Sequence, residues 1–110
     1  MAQTLDNIEN ISLEELKQGL ADGAILLVDV REPNEFAAGH IPGATLNPLQ
    51  SFDPSKLPKG QGKRVVLSCR SGKRSLAALE LARKAGRSDV TAHYPGGFQE
   101  WAQRGEKVEL

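Results

Sequence analysis

Residues 63–86 read KRVVLSCRSGKRSLAALELARKAG. The opening KRVVLS (63–68) is a short apolar run with neighbouring valines. It is too brief for a helix and lacks the polar alternation of a half-exposed strand, so it reads as a strand buried on both faces, as in a parallel sheet. From Ser75 onward, SLAALELARKAG is rich in leucine and in small alanines that allow close packing on a sheet, and Gly86 stands where the helix should stop. Between strand and helix lies CRSGKRS (69–75), which holds the only cysteine of the chain.

The same alternation extends in both directions. Toward the N-terminus, after a short apolar start near Ile8, ISLEELKQGLADG pairs Ser12 with Glu15 as a capping box. Leu13, Leu16 and Leu20 then share a helical face, and Gly23 ends the helix. AILLVDV (24–30) is a second continuously apolar strand. EPNEFAAG suits a short helix with Pro33 in its first turn and Gly39 at its end. HIPGATLN runs extended, because a residue before proline avoids helical angles. SFDPSKLPKGQG reads as loop. Beyond Gly86, DVTAHY (89–94) is a strand, and PGGFQEWAQRG turns on Pro95, Gly96 and Gly97 into a last helix. Strands alternating with helices predict an α/β fold with a mostly parallel sheet and helices on both faces. Ligands of such folds bind outside the carboxyl ends of the strands, and Cys69 sits at such an end.

Composition narrows the function. The 110 residues suit one domain, spanning 1–110, and 39% hydrophobic residues can supply its core. Fourteen basic residues balance fourteen acidic ones, so neither nucleic acid nor an anionic membrane is an expected partner, and any electrostatic function must be local. A single cysteine forms no internal disulfide and calls for no oxidising compartment. The acidic start MAQTLDNIENISLEEL does not read as a secretory signal, and no apolar stretch approaches the ~20 residues that span a bilayer. A cytoplasmic protein is expected.

The cysteine loop carries the chemistry. At a strand-to-helix junction, backbone N–H groups lack helical partners and the helix dipole favours negative charge. Gly72 permits positive φ, so successive amides can curve into an anion nest. Arg70, Lys73 and Arg74 add positive charge, with no acid inside the stretch. That setting favours the thiolate, the nucleophilic form of Cys69. Other motifs fail on spacing. A phosphate loop ending at Gly72–Lys73 would need glycine where Leu67 stands and Ser or Thr where Arg74 stands. GQG (60–62) precedes a strand instead of following one. One cysteine and two distant histidines make no metal site. A dyad of Cys69 with His40 or His93 can be written, but His93 lies within a strand and reads as packed.

Together, VDVREPNEFAAGHIPGA (28–44), CRSGKRS (69–75) and YPGGFQEWAQRG (94–105) resemble the single-domain rhodaneses, the thiosulfate sulfurtransferase family. The resemblance implies a five-stranded, mostly parallel sheet with the catalytic cysteine in the loop after the fourth strand. By position it makes Cys69 the sulfur acceptor, and the amides of Arg70, Ser71, Gly72, Lys73, Arg74 and Ser75 the cradle of a persulfide. Arg70, Lys73 and Arg74 would attract a small anionic donor such as thiosulfate. Asp29 and Arg31 would brace the loop without reacting. His40, Gly96, Gly97 and Trp101 read as structural, with Trp101 near enough to border the pocket entrance. The acceptor would be cyanide or a thiol, and neither cofactor nor metal is implied. Two other readings share these residues. One is a carrier module that passes persulfide sulfur to a protein partner in a relay. The other is a cysteine-dependent phosphatase or arsenate reductase, whose C-x-x-x-x-x-R spacing is missed here because Arg74 comes one residue early.

Overall fold

The computed structural model describes residues 8–110, so the part of the acidic start before Ile8 lies outside the described residues. Five strands, β1 (Glu9–Asn10), β2 (Ile25–Asp29), β3 (Thr45–Leu46), β4 (Arg64–Ser68) and β5 (Ala92–Tyr94), form one sheet in the order β1-β5-β4-β2-β3. Every pairing in it is parallel. Four helices complete the chain: α1 (Leu13–Asp22), α2 (Pro33–Ala38), α3 (Lys73–Lys84) and α4 (Gly97–Gln103). No described helix is long and apolar enough to cross a membrane.

Local chemistry explains most boundaries. Ser12 and Glu15 form the reciprocal capping box of α1, and Gly23 closes that helix in the left-handed conformation. The helix α3 begins at Lys73, two residues before the Ser75 expected from sequence, because Gly72 has already turned the chain at φ 97°. The strand β5 starts at Ala92 instead of Asp89. Arg87 draws Asp89 into an ion pair and its carbonyl accepts from the Val90 N–H, so residues 87–90 turn before pairing begins. The expected loop at 51–62 contains part of one 3-10 turn, Leu49–Ser51, and the whole of another, Pro54–Lys56, the latter capped by the Asp53 side chain.

The sheet divides the core in two, and the central strand shows how. Val65, Leu67 and Cys69 pack with Ala78, Leu79 and Ala82 of α3. Val66 points the other way, to Leu13 and Leu16 of α1 and Trp101 of α4. This is the period-two alternation of a strand buried on both faces. Each fully buried leucine or valine contributes about 1.5–3 kcal/mol relative to exposure. Cys69 therefore continues a row of core side chains, and its sulfur emerges where the strand gives way to the loop.

Candidate active site

The loop joining β4 to α3 wraps around the Cys69 sulfur. Cys69 is 1% exposed, and its Sγ accepts the Gly72 N–H at 3.0 Å, with Ser75 Oγ at 3.7 Å. Gly72 and Ser75 are buried, Arg74 is half-buried, and Arg70, Ser71 and Lys73 are exposed. Among the amides expected to cradle an anion, Gly72 is the one that already points at sulfur.

A second loop holds the first in place. The Cys69 carbonyl accepts the Phe98 N–H at 2.8 Å, and the Arg70 carbonyl accepts the Gln99 N–H at 3.1 Å. That approach requires glycine twice. A Cβ on Gly97, at φ 66°, would overlap the Arg70 carbonyl, and one on Gly72 would come within 2.7 Å of the Pro95 carbonyl oxygen. Gly97 thus acts through packing, as its place in the sequence suggested. Trp101 does too: it is buried in the core, and its Nε1–H donates to the Lys107 carbonyl.

Asp29 and Arg31 form a buried ion pair. Arg31 Nε and Nη2 donate to the Asp29 carboxylate at 2.8–3.1 Å, and Nη2 also donates to the Gly39 carbonyl at 2.7 Å. The guanidinium lies 4.4 Å from the centre of the Phe98 ring, a cation–π contact. Phe98 in turn holds the Cys69 carbonyl, so the pair reaches the loop through one intermediary. His40 stacks on Phe36 at 3.8 Å and exchanges backbone hydrogen bonds with Glu109.

Two partnerships were not legible in the sequence. The loop contains no acid, but Glu35 of α2 grips Arg74 with both oxygens, at 2.7 and 3.1 Å. Arg74 is therefore compensated, which leaves Arg70 and Lys73 as the loop cations without an ion pair among the described residues. The second concerns His93, which is packed in β5 as expected but whose Nδ1 lies 2.8 Å from Ser75 Oγ. The register opposite Leu67 places it there, and that register becomes readable only once the strand order is known. A cavity of about 410 Å3 opens beside the loop, lined among others by Arg31, Glu35, Arg70, Phe98 and Gln99.

The Glu35–Arg74 contact makes acid stability testable. Hydrogen bonds from Arg74 pull the Glu35 carboxyl down from 4.5 to about 2. A depressed carboxylate contributes stability above its unfolded value and loses it as pH falls through the folded one. Between pH 4.5 and 2, melting of the wild type should therefore decline more steeply than that of Glu35→Gln, the curves converging near pH 2. Glu35 is largely solvated, so the difference should be small. Parallel curves would mean that the pair is not formed in solution.

A sequence model of the family described as Rhodanese-like domain matches residues 12–104. The chain belongs to the rhodanese-like domain family. An uncharacterized protein, slr1261, from Synechocystis is 41% identical over 105 residues, covering 96% of this chain; the chain spans only 58% of that relative's length. A Saccharomyces cerevisiae protein named thiosulfate:glutathione sulfurtransferase is 34% identical, with 99% of this chain and 89% of the relative covered. Among solved structures, a human single-domain sulfurtransferase superposes with a TM-score of 0.73 at 35% identity, covering 88% of this chain and 97% of that one. The rhodanese-like fold agrees with the five-stranded parallel sheet, and the cysteine loop follows its fourth strand in sequence.

Proposed function

We propose that this chain is a sulfurtransferase that moves sulfane sulfur from thiosulfate, or a donor like it, to a thiol or cyanide through a Cys69 persulfide. The observation that carries the reading is the short Gly72 N–H to Cys69 Sγ hydrogen bond at the centre of the loop. An amide aimed at sulfur stabilises the thiolate before reaction. The reading also draws on the relatives named for sulfur transfer.

The Cys69 thiolate attacks the outer sulfur of thiosulfate. The donor S–S bond breaks, and its electron pair leaves with sulfite. The product, Cys69–S–S⁻, carries its charge on the terminal sulfur, within the loop amides from Arg70 to Ser75. Dipoles fixed in advance around a developing anion act as an oxyanion hole does. An acceptor nucleophile then attacks that sulfur and releases the Cys69 thiolate. Arg70 and Lys73, exposed on the loop, draw the donor dianion in, and the cavity beside Arg70 gives a small acceptor thiol room to approach. Every step uses the chain's own side chains and amides.

The direct test is intact-mass spectrometry after thiosulfate treatment. One sulfur atom should add at Cys69 and be removed by cyanide, with thiocyanate as product. Absence of the adduct under conditions where Cys69 is reduced would overturn the reading. Transfer to a partner protein with no turnover on small acceptors would instead favour the carrier role.

A further inference from the structure

The hydrogen bonds at Cys69 do not stop at the sulfur's neighbours. Ser75 Oγ, 3.7 Å from Sγ, lies 2.8 Å from His93 Nδ1, and His93 Nε2 lies 3.1 Å from Oδ1 of Asn10. Asn10 is exposed while Ser75, His93 and Cys69 are buried, so the line runs from the sulfur to the surface. Ser75 Oγ is also 3.1 Å from the Gly72 carbonyl, but that oxygen already accepts the Leu76 N–H.

Counting hydrogens restricts what this line can do. A serine hydroxyl has one hydrogen, and a neutral imidazole has one donor and one acceptor nitrogen. Two complete arrangements satisfy every group. In the first, Nε2–H donates to Asn10, the Ser75 O–H donates to Nδ1, and Ser75 Oγ accepts the Cys69 S–H. In the second, the Asn10 amide is turned to present its NH2 group to Nε2, Nδ1–H donates to Ser75 Oγ, and the Ser75 O–H donates to the sulfur anion. The first suits a thiol and the second a thiolate.

We propose that His93 is a positioning residue for Cys69, its two tautomers turning the Ser75 hydroxyl from acceptor at the thiol to donor at the sulfur anion. In passing between them, sulfur keeps the electron pair of its S–H bond while the proton bonds to Ser75 Oγ. The original Ser75 proton passes to Nδ1, and Nε2 gives its proton to water beside Asn10. One proton leaves a buried thiol for solvent, the ring ends neutral, and no oxidant or reductant takes part. Burial opposes the imidazolium and holds His93 below its usual pKa, which keeps the ring in the neutral form that has tautomers. The inference rests on the reading of Cys69 as the sulfur-accepting nucleophile.

The charged groups around the line are the Arg74–Glu35 and Arg31–Asp29 pairs, exposed Arg70 and Lys73, and Glu9, which pairs with Arg64. None of these ion pairs is expected to change charge between pH 6.5 and 9. Alkylation of Cys69 by iodoacetamide, followed by mass spectrometry at those two pH values, therefore isolates the relay. The ratio of the rate at pH 6.5 to that at pH 9 should fall roughly tenfold in Ser75→Ala and in His93→Leu, one power of ten per 1.4 kcal/mol of a charge-assisted hydrogen bond. The double variant should be no worse than Ser75→Ala, because His93 acts only through that hydroxyl. His93→Asn, whose amide puts a polar atom near the Nδ1 position, should recover most of the ratio. In the wild type, 15N shifts of the His93 ring should show the proton moving from Nε2 to Nδ1 over the pH range in which alkylation quickens. An unchanged ratio in a folded His93→Leu protein, losses that multiply in the double variant, or a fixed tautomer would each overturn the proposal. Should His93→Leu fail to fold, a folded His93→Asn protein as slow as Ser75→Ala would do so. If these results hold but thiosulfate adds no sulfur to Cys69, the sulfurtransferase reading falls and the relay stands.

Discussion

Cys69→Ser is expected to yield a folded protein with no detectable transfer of sulfur from thiosulfate to cyanide. The hydroxyl is nearly the shape of the thiol and can still accept the Gly72 N–H, so the loop has no reason to rearrange. The destabilisation should be about 1–2 kcal/mol, from burying a more polar group among the α3-facing core residues. Activity is another matter. A serine hydroxyl is not ionised at neutral pH and forms no persulfide, so loss of roughly 10³-fold or more is expected, as when a nucleophile is removed from other enzymes. Residual turnover near the wild-type rate would remove Cys69 from the chemistry. The same assay panel addresses the phosphatase-like alternative. A phosphate needs a free arginine fork, and Arg74 is both one residue early for that task and bound by Glu35. Aryl phosphate hydrolysis by the wild type should therefore be negligible, and efficient Cys69-dependent hydrolysis would reverse the assignment.

Asp29→Ala should have the largest effect on stability. Arg31 is 4% exposed, and removing its carboxylate strands a guanidinium in the interior with the Gly39 carbonyl as its remaining hydrogen-bond acceptor. Breaking one side of a buried ion pair costs about 3–5 kcal/mol, a large share of the ~5–15 kcal/mol that holds a typical domain together. For a domain of this size, melting should drop by roughly 15 °C or more. Removing both partners, as in Asp29→Ala with Arg31→Met, should recover part of the loss, since no unpaired charge is then buried. Sulfur transfer by whatever remains folded should also fall, because Phe98 lies between Arg31 and the Cys69 carbonyl. A change below ~1 kcal/mol in a denaturant titration would show that water reaches Arg31.

The fold was readable because its signals are local. Capping at Ser12, the stop at Gly23 and the two apolar runs at 24–30 and 63–68 each follow from a few neighbouring residues. So does the placement of Cys69, since the end of a buried strand is fixed by the strand itself. The partners of the loop were harder to see because they arrive from distant elements. Glu35 stands 39 positions from Arg74, and no periodicity links them. His93 was legible as a buried strand residue, but its bond to Ser75 depends on β5 lying beside β4, which element order alone does not determine. Arg74 is the instructive case: its charge is plain in the sequence, and its neutralisation is a product of tertiary structure.

The strand order also sets a timetable for assembly. Asn10 and His93 lie 83 residues apart, on strands that pair with each other at one side of the sheet. Closing so long a loop gives little return until both ends are available. While a ribosome is still making this chain, β2 and β4 can pair as soon as residue 68 has emerged, whereas β1 must wait for residues 92–94. The sulfur's immediate cradle can thus form early in synthesis, but the link from that cradle to Asn10 is among the last to close. A nascent chain stalled before β5 would hold its cysteine loop without the histidine behind it.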